Sequence, residues 1–292
     1  MRLQITLASL LTLSVLLAFG AEARRHHQCH HKGKKVEPAP AHAAEAAAAP
    51  STQVSTTEGS GSAPSGRKCE APDGFATQYW DCCKVAAAWP GHSTLISPAD
   101  SCKIDGHTRL ADSNIRSGCD GGDAFACNNH QPWVSPTNAN LSYAVGVRWT
   151  GLGVNNFYGA CYEIVFKEQP QKTLIFQALN EGEDYKFNQI DIQAPGGGVG
   201  VNNACPKQWQ SPPDGWGKRF GGVQSIEECS QLPEALRPGC EWRFNWLAPA
   251  DHPHGINPTI QSMCRVKCPK EMTDRTGIMR HDDDDSWPAA PN

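Results

Sequence analysis

Asp81 is the side chain whose surroundings first point to chemistry. The segment 76–84 places two aromatic residues and two adjacent cysteines around this one carboxylate. Adjacent cysteines cannot easily bond to each other, because disulfide geometry is restrictive, so we expect each to bond to a different distant partner and to hold Asp81 from both sides. A rigidly held carboxylate beside aromatic faces suggests carbohydrate chemistry. The alternative is a half-buried strand on which Asp81 is solvated.

A second acidic residue, Asp191, precedes a glycine-rich loop. The segment 188–200 begins with a short apolar strand that delivers Asp191, and the run Pro-Gly-Gly-Gly-Val-Gly follows almost at once. This loop lacks the Lys-Ser/Thr ending of a phosphate-binding loop, and no helix clearly follows it. Its glycines are therefore expected to let the backbone run close to a bulky ligand or to another strand.

The elements that must position these aspartates are mostly short strands. Four apolar segments between turn signals have the β-branched and aromatic content typical of strands: 143–149, 160–166, 173–179 and 190–192. One helix is predicted over 225–236, with Ser225 as N-cap, Glu228 three residues on, and Pro238 with Gly239 as its stop. The pattern predicts a β-barrel core with long loops and a few helices.

Composition and charge narrow the class of protein. The chain has 292 residues, enough for one large or two small domains, and its net charge of -4 gives no indication of a nucleic-acid partner. Its 13 cysteines indicate an oxidising compartment and a disulfide framework rather than a cytosolic enzyme.

The segment 1–23 has the pattern of a secretory signal peptide. Arg2 precedes an apolar run over 5–19, and the small residues of 20–23 give a cleavage site near Ala23. The alternative is an uncleaved membrane anchor, but the run is shorter than the roughly 20 residues that a spanning helix needs. We therefore expect a secreted, extracellular protein with no membrane attachment after cleavage.

The segment 24–66 is predicted to be a disordered stalk rich in His, Ala, Pro and Ser. Such a composition cannot bury enough apolar surface to offset the entropy of ordering. The His and Cys residues of 24–35 could bind a metal, but a solvated basic tail is the favoured interpretation and no metal site is predicted. Tryptophan, cysteine and glycine become frequent afterwards, so 67–292 is predicted to be one catalytic domain, and Cys29 is the odd cysteine.

Five motifs of this domain occur together in a known family. They are YWDCCK at 79–84, ACYE at 160–163, Asp191 with PGGGVG at 195–200, RFGG at 219–222 and PGCEWRF at 238–244. Their order and spacing resemble those of family 45 glycoside hydrolases, which are secreted endo-β-1,4-glucanases, from about Gly74 to about Asp285. The resemblance implies a mainly β fold: a six-stranded double-psi β-barrel with long disulfide-linked loops, a few short helices and a long open groove.

The resemblance also implies catalytic roles. The family inverts anomeric configuration with two aspartates, so Asp81 would be the general base that activates water and Asp191 the general acid that protonates the leaving oxygen. Inverting enzymes hold the two carboxyl groups about 6.5–9.5 Å apart so that a water fits between them, and the acid needs a raised pKa. Asp184 matches a third, assisting aspartate on a flexible loop that closes over substrate.

Five further residues match substrate-binding positions of the family's groove: Thr77, Tyr79, Lys84, Trp89 and Gln189. The faces of Tyr79 and Trp89 suit the apolar C–H faces of a pyranose. The chain departs from the family pattern where Gln78 replaces an arginine and Gln189 replaces a histidine. Loss of a cation and an imidazole near the site could shift the pKa of the acid, the pH optimum or the substrate preference.

The resemblance further implies a disulfide framework. Five pairings match bridges of the family: Cys82–Cys205, Cys83–Cys119, Cys102–Cys127, Cys161–Cys268 and Cys229–Cys240. Two family bridges have lost both cysteines, at the positions Ala87 with Tyr158 and Gly159 with Ile278. Cys69 and Cys264 are left over and are predicted to pair with each other. Each bridge typically stabilises by about 2–4 kcal/mol, so the secreted protein should be robust.

These expectations lead to one functional hypothesis and two alternatives. The first is a monomeric, inverting endo-β-1,4-glucanase that cuts cellulose or a related β-glucan and needs no cofactor, since a carboxylate pair is sufficient. The second is an expansin-like protein, which shares the barrel and loosens cell walls without hydrolysis. Such proteins keep a counterpart of Asp191 but lack the base, so Asp81 argues against this alternative. The third keeps the chemistry and changes the polymer to mannan or mixed-linkage glucan.

Overall fold

One mixed sheet of eight strands contains Asp191 and the strand that leads to Asp81. The computed structural model describes residues 69–70, 74–148, 153–182 and 189–292, so the predicted signal peptide, the stalk and Asp184 lie outside the described residues. The strands are β1 (Cys69–Glu70), β2 (Ala76–Tyr79), β3 (Leu95–Ser97), β4 (Trp133–Val134), β5 (Leu141–Arg148), β6 (Cys161–Phe166), β7 (Gln169–Asn180), β8 (Ile190–Gln193), β9 (Ile260–Val266) and β10 (Met279–Arg280). The α-helices are α1 (Cys205–Trp209), α2 (Arg237–Trp242) and α3 (Lys270–Thr276). The expected mainly β fold with a few short helices is confirmed.

The strand order explains how distant segments meet at the site. Within the described residues the order is β1-β9-β6-β7-β5-β8-β2, β4 pairs with β5, and β3 and β10 form a separate sheet of two strands. Among the described residues, the pairing between strands does not continue around a closed barrel. However, Phe75 and Thr259 form a bridge, and the Ala76 N–H donates to the carbonyl of Pro258 at 2.9 Å. This bridge joins β2 to the residues just before β9, so β9, β6, β7, β5, β8 and β2 follow one another around a six-stranded, barrel-like arrangement.

Burial explains why the four apolar segments form the centre of this sheet. All residues of β5 and β8 are buried, and strands covered on both faces carry near-continuous apolar runs. The core side chains Ile164, Leu174 and Ile192 are fully buried. The four predicted strands therefore coincide with β5, β6, β7 and β8, and β7 extends beyond its predicted segment at both ends.

The helix predicted over 225–236 is wrong. Two 3-10 turns, Glu227–Gln231 and Glu234–Leu236, occupy most of this segment, and α2 begins where the helix was expected to stop. Pro233, which is extended, separates the two turns; a proline has no N–H to donate within a helix. Proline is tolerated in the first helical turn, so Pro238 helps to begin α2 instead of ending a helix.

Six disulfides cross-link the described part of the chain. The structure contains Cys69–Cys264, Cys82–Cys205, Cys83–Cys119, Cys102–Cys127, Cys161–Cys268 and Cys229–Cys240. These are the pairings that the resemblance and the two remaining cysteines led us to expect. At one position where the family has a further bridge, a Cβ on Gly159 would lie 3.1 Å from the side chain of Ile278, so these two residues are in contact there.

Candidate active site

Asp191 lies at the middle of a three-strand arrangement. Its strand β8 pairs in parallel with β2, where Thr77 is the partner, and antiparallel with β5, where Val147 is the partner. Gly146 of β5 allows this close approach, because a Cβ there would overlap the carbonyl of Asp191. The side chain of Asp191 is only 6% exposed. Pairing on both sides therefore gives this carboxylate a fixed and largely buried position.

Asp81 lies two residues after β2, in a sharp turn. The next residue, Cys82, has a φ of 62°, which is unusual for a residue other than glycine. The Cys83 N–H donates to Asp81 Oδ1 at 2.9 Å, and the Ala204 N–H donates to the Asp81 carbonyl at 2.8 Å. Disulfides from Cys82 and Cys83 lead to different parts of the chain, so Asp81 is held from both sides.

The two carboxylates interact electrostatically. Burial raises the pKa of Asp81 from its ordinary 3.8 to about 7, the Cys83 N–H opposes the rise, and the negative charge of Asp191 adds to it. Asp81, the expected base, therefore stays protonated up to near-neutral pH and can accept a proton from water only above it.

One cavity of about 1030 Å³ contains both carboxylates. Four of the predicted substrate-binding residues also line it: Thr77, Tyr79, Lys84 and Trp89. Gln189, the fifth, is 8% exposed and is not among the described residues that line the cavity. A substrate-binding role for Gln189 therefore stays a prediction. Asp184 lies outside the described residues, so its role stays a prediction.

The glycine-rich loop after Asp191 runs beside β2. Gly198 forms a parallel bridge with Tyr79, and its carbonyl accepts a hydrogen bond from the Trp80 N–H at 3.1 Å. A Cβ on Gly197 would lie 2.6 Å from the Tyr79 nitrogen. The interpretation that these glycines permit close approach to another strand is thereby confirmed. Arg243 supports the loop from below the surface, donating to the carbonyl of Gly196.

Lys84 makes hydrogen bonds within the protein in addition to lining the cavity. Its Nζ donates to the carbonyls of Ser113 at 2.6 Å and Ile115 at 3.0 Å, and lies 3.5 Å from the centroid of the Trp89 ring. Burial lowers the pKa of Lys84 to about 8, and the charge of Asp112 opposes this shift. The lysine is therefore a support for Trp89 as well as part of the cavity wall.

The replaced family position Gln78 has a structural role. Its Nε2 donates to the carbonyl of Ile256 at 3.1 Å and to Asn257 Oδ1 at 3.3 Å, joining β2 to the loop that precedes β9. Nearby, the Thr77 hydroxyl donates to the Ile190 carbonyl at 3.4 Å. Both residues therefore use polar groups to hold the cavity wall together.

Sequence reasoning missed several residues of the cavity. Phe220 is 71% exposed and lines the cavity, although a large apolar side chain is normally covered. Its signal was present, because it lies in the motif at 219–222, but no role was assigned to it. Asn180 and Glu181 also line the cavity. They gave no signal, since they follow the predicted strand over 173–179 and belong to no motif.

The described residues contain neither a candidate metal site nor a candidate membrane span. No group of three or more His, Cys, Asp or Glu side chains there could hold a metal ion. No helix in that part of the chain has the length and apolar character needed to cross a membrane.

Comparison with known proteins identifies the family. The family model for Glycosyl hydrolase family 45 matches residues 73–279. An endoglucanase of Cryptopygus antarcticus is 39% identical over 210 residues, covering 71% of this chain and 89% of that protein. An endoglucanase of Phaedon cochleariae is 36% identical over 203 residues, covering 68% and 81%. The crystal structure of the cellulase from the Antarctic springtail C. antarcticus has a TM-score of 0.65 and 38% identity, covering 71% of this chain and 97% of that one. The chain therefore belongs to glycosyl hydrolase family 45 and is a glycoside hydrolase of the endoglucanase class.

Proposed function

We propose that this protein is a secreted, inverting endo-β-1,4-glucanase in which Asp191 is the general acid and Asp81 the general base. The observation that carries the proposal is the placement of both carboxylates in one cavity, one on a doubly paired strand and one in a disulfide-held turn. The reaction needs one carboxyl group protonated and one ionised, so Asp81 can act as the base only where the pH exceeds its raised pKa of about 7.

The reaction proceeds in one displacement. Asp191 gives its proton to the glycosidic oxygen as the bond from that oxygen to the anomeric carbon breaks. A water on the opposite face of the sugar forms the new bond to the anomeric carbon and gives a proton to Asp81. Asp81 ends protonated and Asp191 ionised, and exchange with solvent restores both. Attack from the opposite face inverts the anomeric configuration.

The proposed substrate is a β-glucan chain such as cellulose, and the protein is proposed to act as a monomer. The cavity volume of about 1030 Å³ lies at the upper end of the roughly 300–1,000 Å³ typical of small-molecule sites, which favours a segment of polymer. Trp89 and Phe220 offer apolar faces for sugar rings. Relatives named endoglucanase support internal cleavage. No cofactor is invoked, since two carboxyl groups suffice for the acid and the base.

A polysaccharide panel with product analysis tests the proposal. The unmodified protein should release reducing ends from soluble β-glucan, and NMR should show the inverted α-anomer forming first. Asp81→Asn and Asp191→Asn should abolish release, whereas Asp274→Asn, which removes only an exposed ion pair with Lys270, should not. No release from any β-glucan would favour a non-hydrolytic, expansin-like role. Release from mannan alone would change the substrate, and a retained β-anomer would refute the inverting mechanism.

A further inference from the structure

Asn180, the last residue of β7, joins two groups that line the catalytic cavity. Its Nδ2 donates to the Tyr79 hydroxyl at 3.1 Å, and its Oδ1 accepts from the Ala86 N–H at 3.1 Å. Asn180, Tyr79 and Ala86 all line the cavity. A single partly buried amide therefore connects the strand that precedes Asp81 to the chain that follows it.

The backbone fixes the orientation of this amide. The Ala86 N–H can only donate, so the amide oxygen of Asn180 must face it. The amide nitrogen then faces Tyr79, and in that bond the tyrosine hydroxyl must be the acceptor. The hydroxyl hydrogen of Tyr79 is consequently directed away from Asn180. Asn180 thus determines the direction in which Tyr79 donates, in addition to the position of its ring.

The same amide holds the turn that leads to Trp89. Ala86 begins a 3-10 turn, Ala86–Ala88, and the Trp89 N–H donates to the Ala86 carbonyl at 3.2 Å. The turn contacts β7, and the side chain of Asn180 supplies the acceptor for its first N–H. Displacement of this turn would move Trp89, the aromatic face beneath Lys84.

Asn180 is also tied to the strand that carries the proposed acid. Across the sheet it is the partner of Val147 on β5, and Val147 is in turn the partner of Asp191 on β8. The register shifts at Gly146 and Val147, which places Asn180 rather than Leu179 opposite Val147. Asn180 therefore lies in the same row of residues as Asp191.

We propose that Asn180 is a positioning residue, which sets the hydroxyl direction of Tyr79 and the placement of Trp89 relative to Asp191. The inference rests on the proposed function, because its consequence is measured as catalysis on β-glucan. Since one hydrogen bond contributes about 0.5–1.5 kcal/mol, loss of the contact to Tyr79 should lower kcat/KM by up to about tenfold.

A double-mutant cycle tests this role. Asn180→Ala and Tyr79→Phe should each lower kcat/KM on carboxymethylcellulose. The double variant should be no worse than the more impaired single variant, because both substitutions remove the same hydrogen bond between Asn180 and Tyr79. Asn180→Asp keeps an acceptor for the Ala86 N–H but, when ionised, cannot donate to Tyr79. It should be impaired in the native background and without further effect in the Tyr79→Phe background.

Asn138→Ala is the matched control. Like Asn180, Asn138 uses both ends of its amide: its Oδ1 accepts from the Asn140 N–H, and its Nδ2 donates to the Asn292 carbonyl. However, Asn138 does not line the cavity. It should leave kcat/KM unchanged. Multiplicative effects of Asn180→Ala and Tyr79→Phe, or full activity of Asn180→Ala, would overturn the proposal.

Hydrogen exchange of the segment 85–89 gives a readout without substrate. Exchange should accelerate in Asn180→Ala and stay slow in Asn180→Asp, which keeps the acceptor. Unchanged exchange in Asn180→Ala would refute the role of Asn180 in holding this turn, whatever kcat/KM that variant shows. An unmodified protein that hydrolyses no β-glucan would instead refute the proposed function, while the exchange experiment would still decide whether Asn180 holds the turn.

Discussion

At the scale of single residues, the turn at Asp81 combines a strained backbone at Cys82 with a carboxyl group whose ionised form is destabilised by burial. A left-handed conformation like that of Cys82 costs a residue other than glycine roughly 1–2 kcal/mol, and such strain persists only where surrounding structure over-determines it. Here the Cys82–Cys205 disulfide and the hydrogen bond from Ala204 to Asp81 supply that constraint. The turn aims the carboxyl group into the cavity instead of along the strand.

The raised pKa of Asp81 predicts the acid limb of the pH profile. Asp81 must be ionised to accept a proton from water, and burial raises its pKa to about 7. We expect kcat/KM on soluble β-glucan to fall as the pH is lowered through about 7, approaching tenfold per pH unit. Initial rates at low substrate concentration measure this limb. A profile that is flat between about pH 5 and pH 8 would contradict the assignment of Asp81 as the base.

The same burial predicts that Asp81→Asn stabilises the fold at neutral pH. The pKa of Asp81 is raised in the folded state from 3.8 to about 7, so the folded state binds more protons than the unfolded state in that window. The stabilisation that comes from this more tightly bound proton is fully present below about pH 3.8 and is lost as the pH rises to about 7. The upper limit is about 4 kcal/mol.

Denaturant unfolding at two pH values measures this gain. Asp81→Asn should increase the free energy of unfolding at about pH 8 and change it little at about pH 3.5, although it removes activity. Asp274→Asn serves as the control, because Asp274 lies in an exposed ion pair. A loss of stability in Asp81→Asn at about pH 8 would show that burial of the ionised Asp81 carboxylate does not destabilise the fold.

At the scale of elements, periodicity predicted the strands better than the helices. β5 and β8 are buried throughout, so their apolar runs are direct consequences of their position. The segment 225–236 carried plausible helix signals, but Pro233 divides it and α2 starts later. The local signals could not decide between one helix and two short turns, because packing of Leu232 and Leu236 into the core decides it.

Site residues were predictable where a motif or the match to the family's groove positions marked them. Asp81, Asp191 and the glycine-rich loop have distinctive neighbours in sequence. Asn180 has none, and its importance comes from a register shift in β5 that places it in the row of Asp191. Such a shift depends on contacts between distant segments and leaves no local pattern.

The disulfide between Cys82 and Cys205 is predicted to affect catalysis as well as stability. Replacing both cysteines by serine should lower the free energy of unfolding by about 2–5 kcal/mol. It should also lower kcat more than the loss of folded protein explains, because Asp81 precedes Cys82 directly and its carbonyl accepts from Ala204, next to Cys205. Kinetics at a temperature where both proteins are fully folded measure the second effect.

The matched control is the bridge Cys69–Cys264, which joins β1 to β9. Neither of its cysteines lines the cavity. Its replacement by two serines should cost stability with little change in kcat. Equal losses of kcat from the two double variants would show that the Cys82–Cys205 bridge acts on stability alone.

At the scale of the whole molecule, the described residues contain both an apolar core and a set of disulfide bonds. The apolar core lies within the strands and the loops packed on them, and twelve cysteines pair within 69–292. The thirteenth, Cys29, lies outside the described residues. The family match over 73–279 covers the same part of the chain. The division between a stalk over 24–66 and a domain over 67–292 stays a prediction from composition, because low-complexity sequence ends where tryptophan and cysteine become frequent.

The final prediction concerns this division. A chain expressed without residues 24–66 should hydrolyse soluble β-glucan with a kcat/KM within about twofold of the full chain and unfold at the same temperature, since low-complexity sequence of this kind contributes no packed core. Both proteins keep residues 1–23 and are compared by initial rates and calorimetry. Cys29→Ser in the full chain is the control for removal of this cysteine. A lower unfolding temperature after truncation, with Cys29→Ser unaffected, would mean that 24–66 packs on the catalytic domain. A loss of activity on insoluble cellulose alone would instead assign the segment a role in reaching the polymer surface.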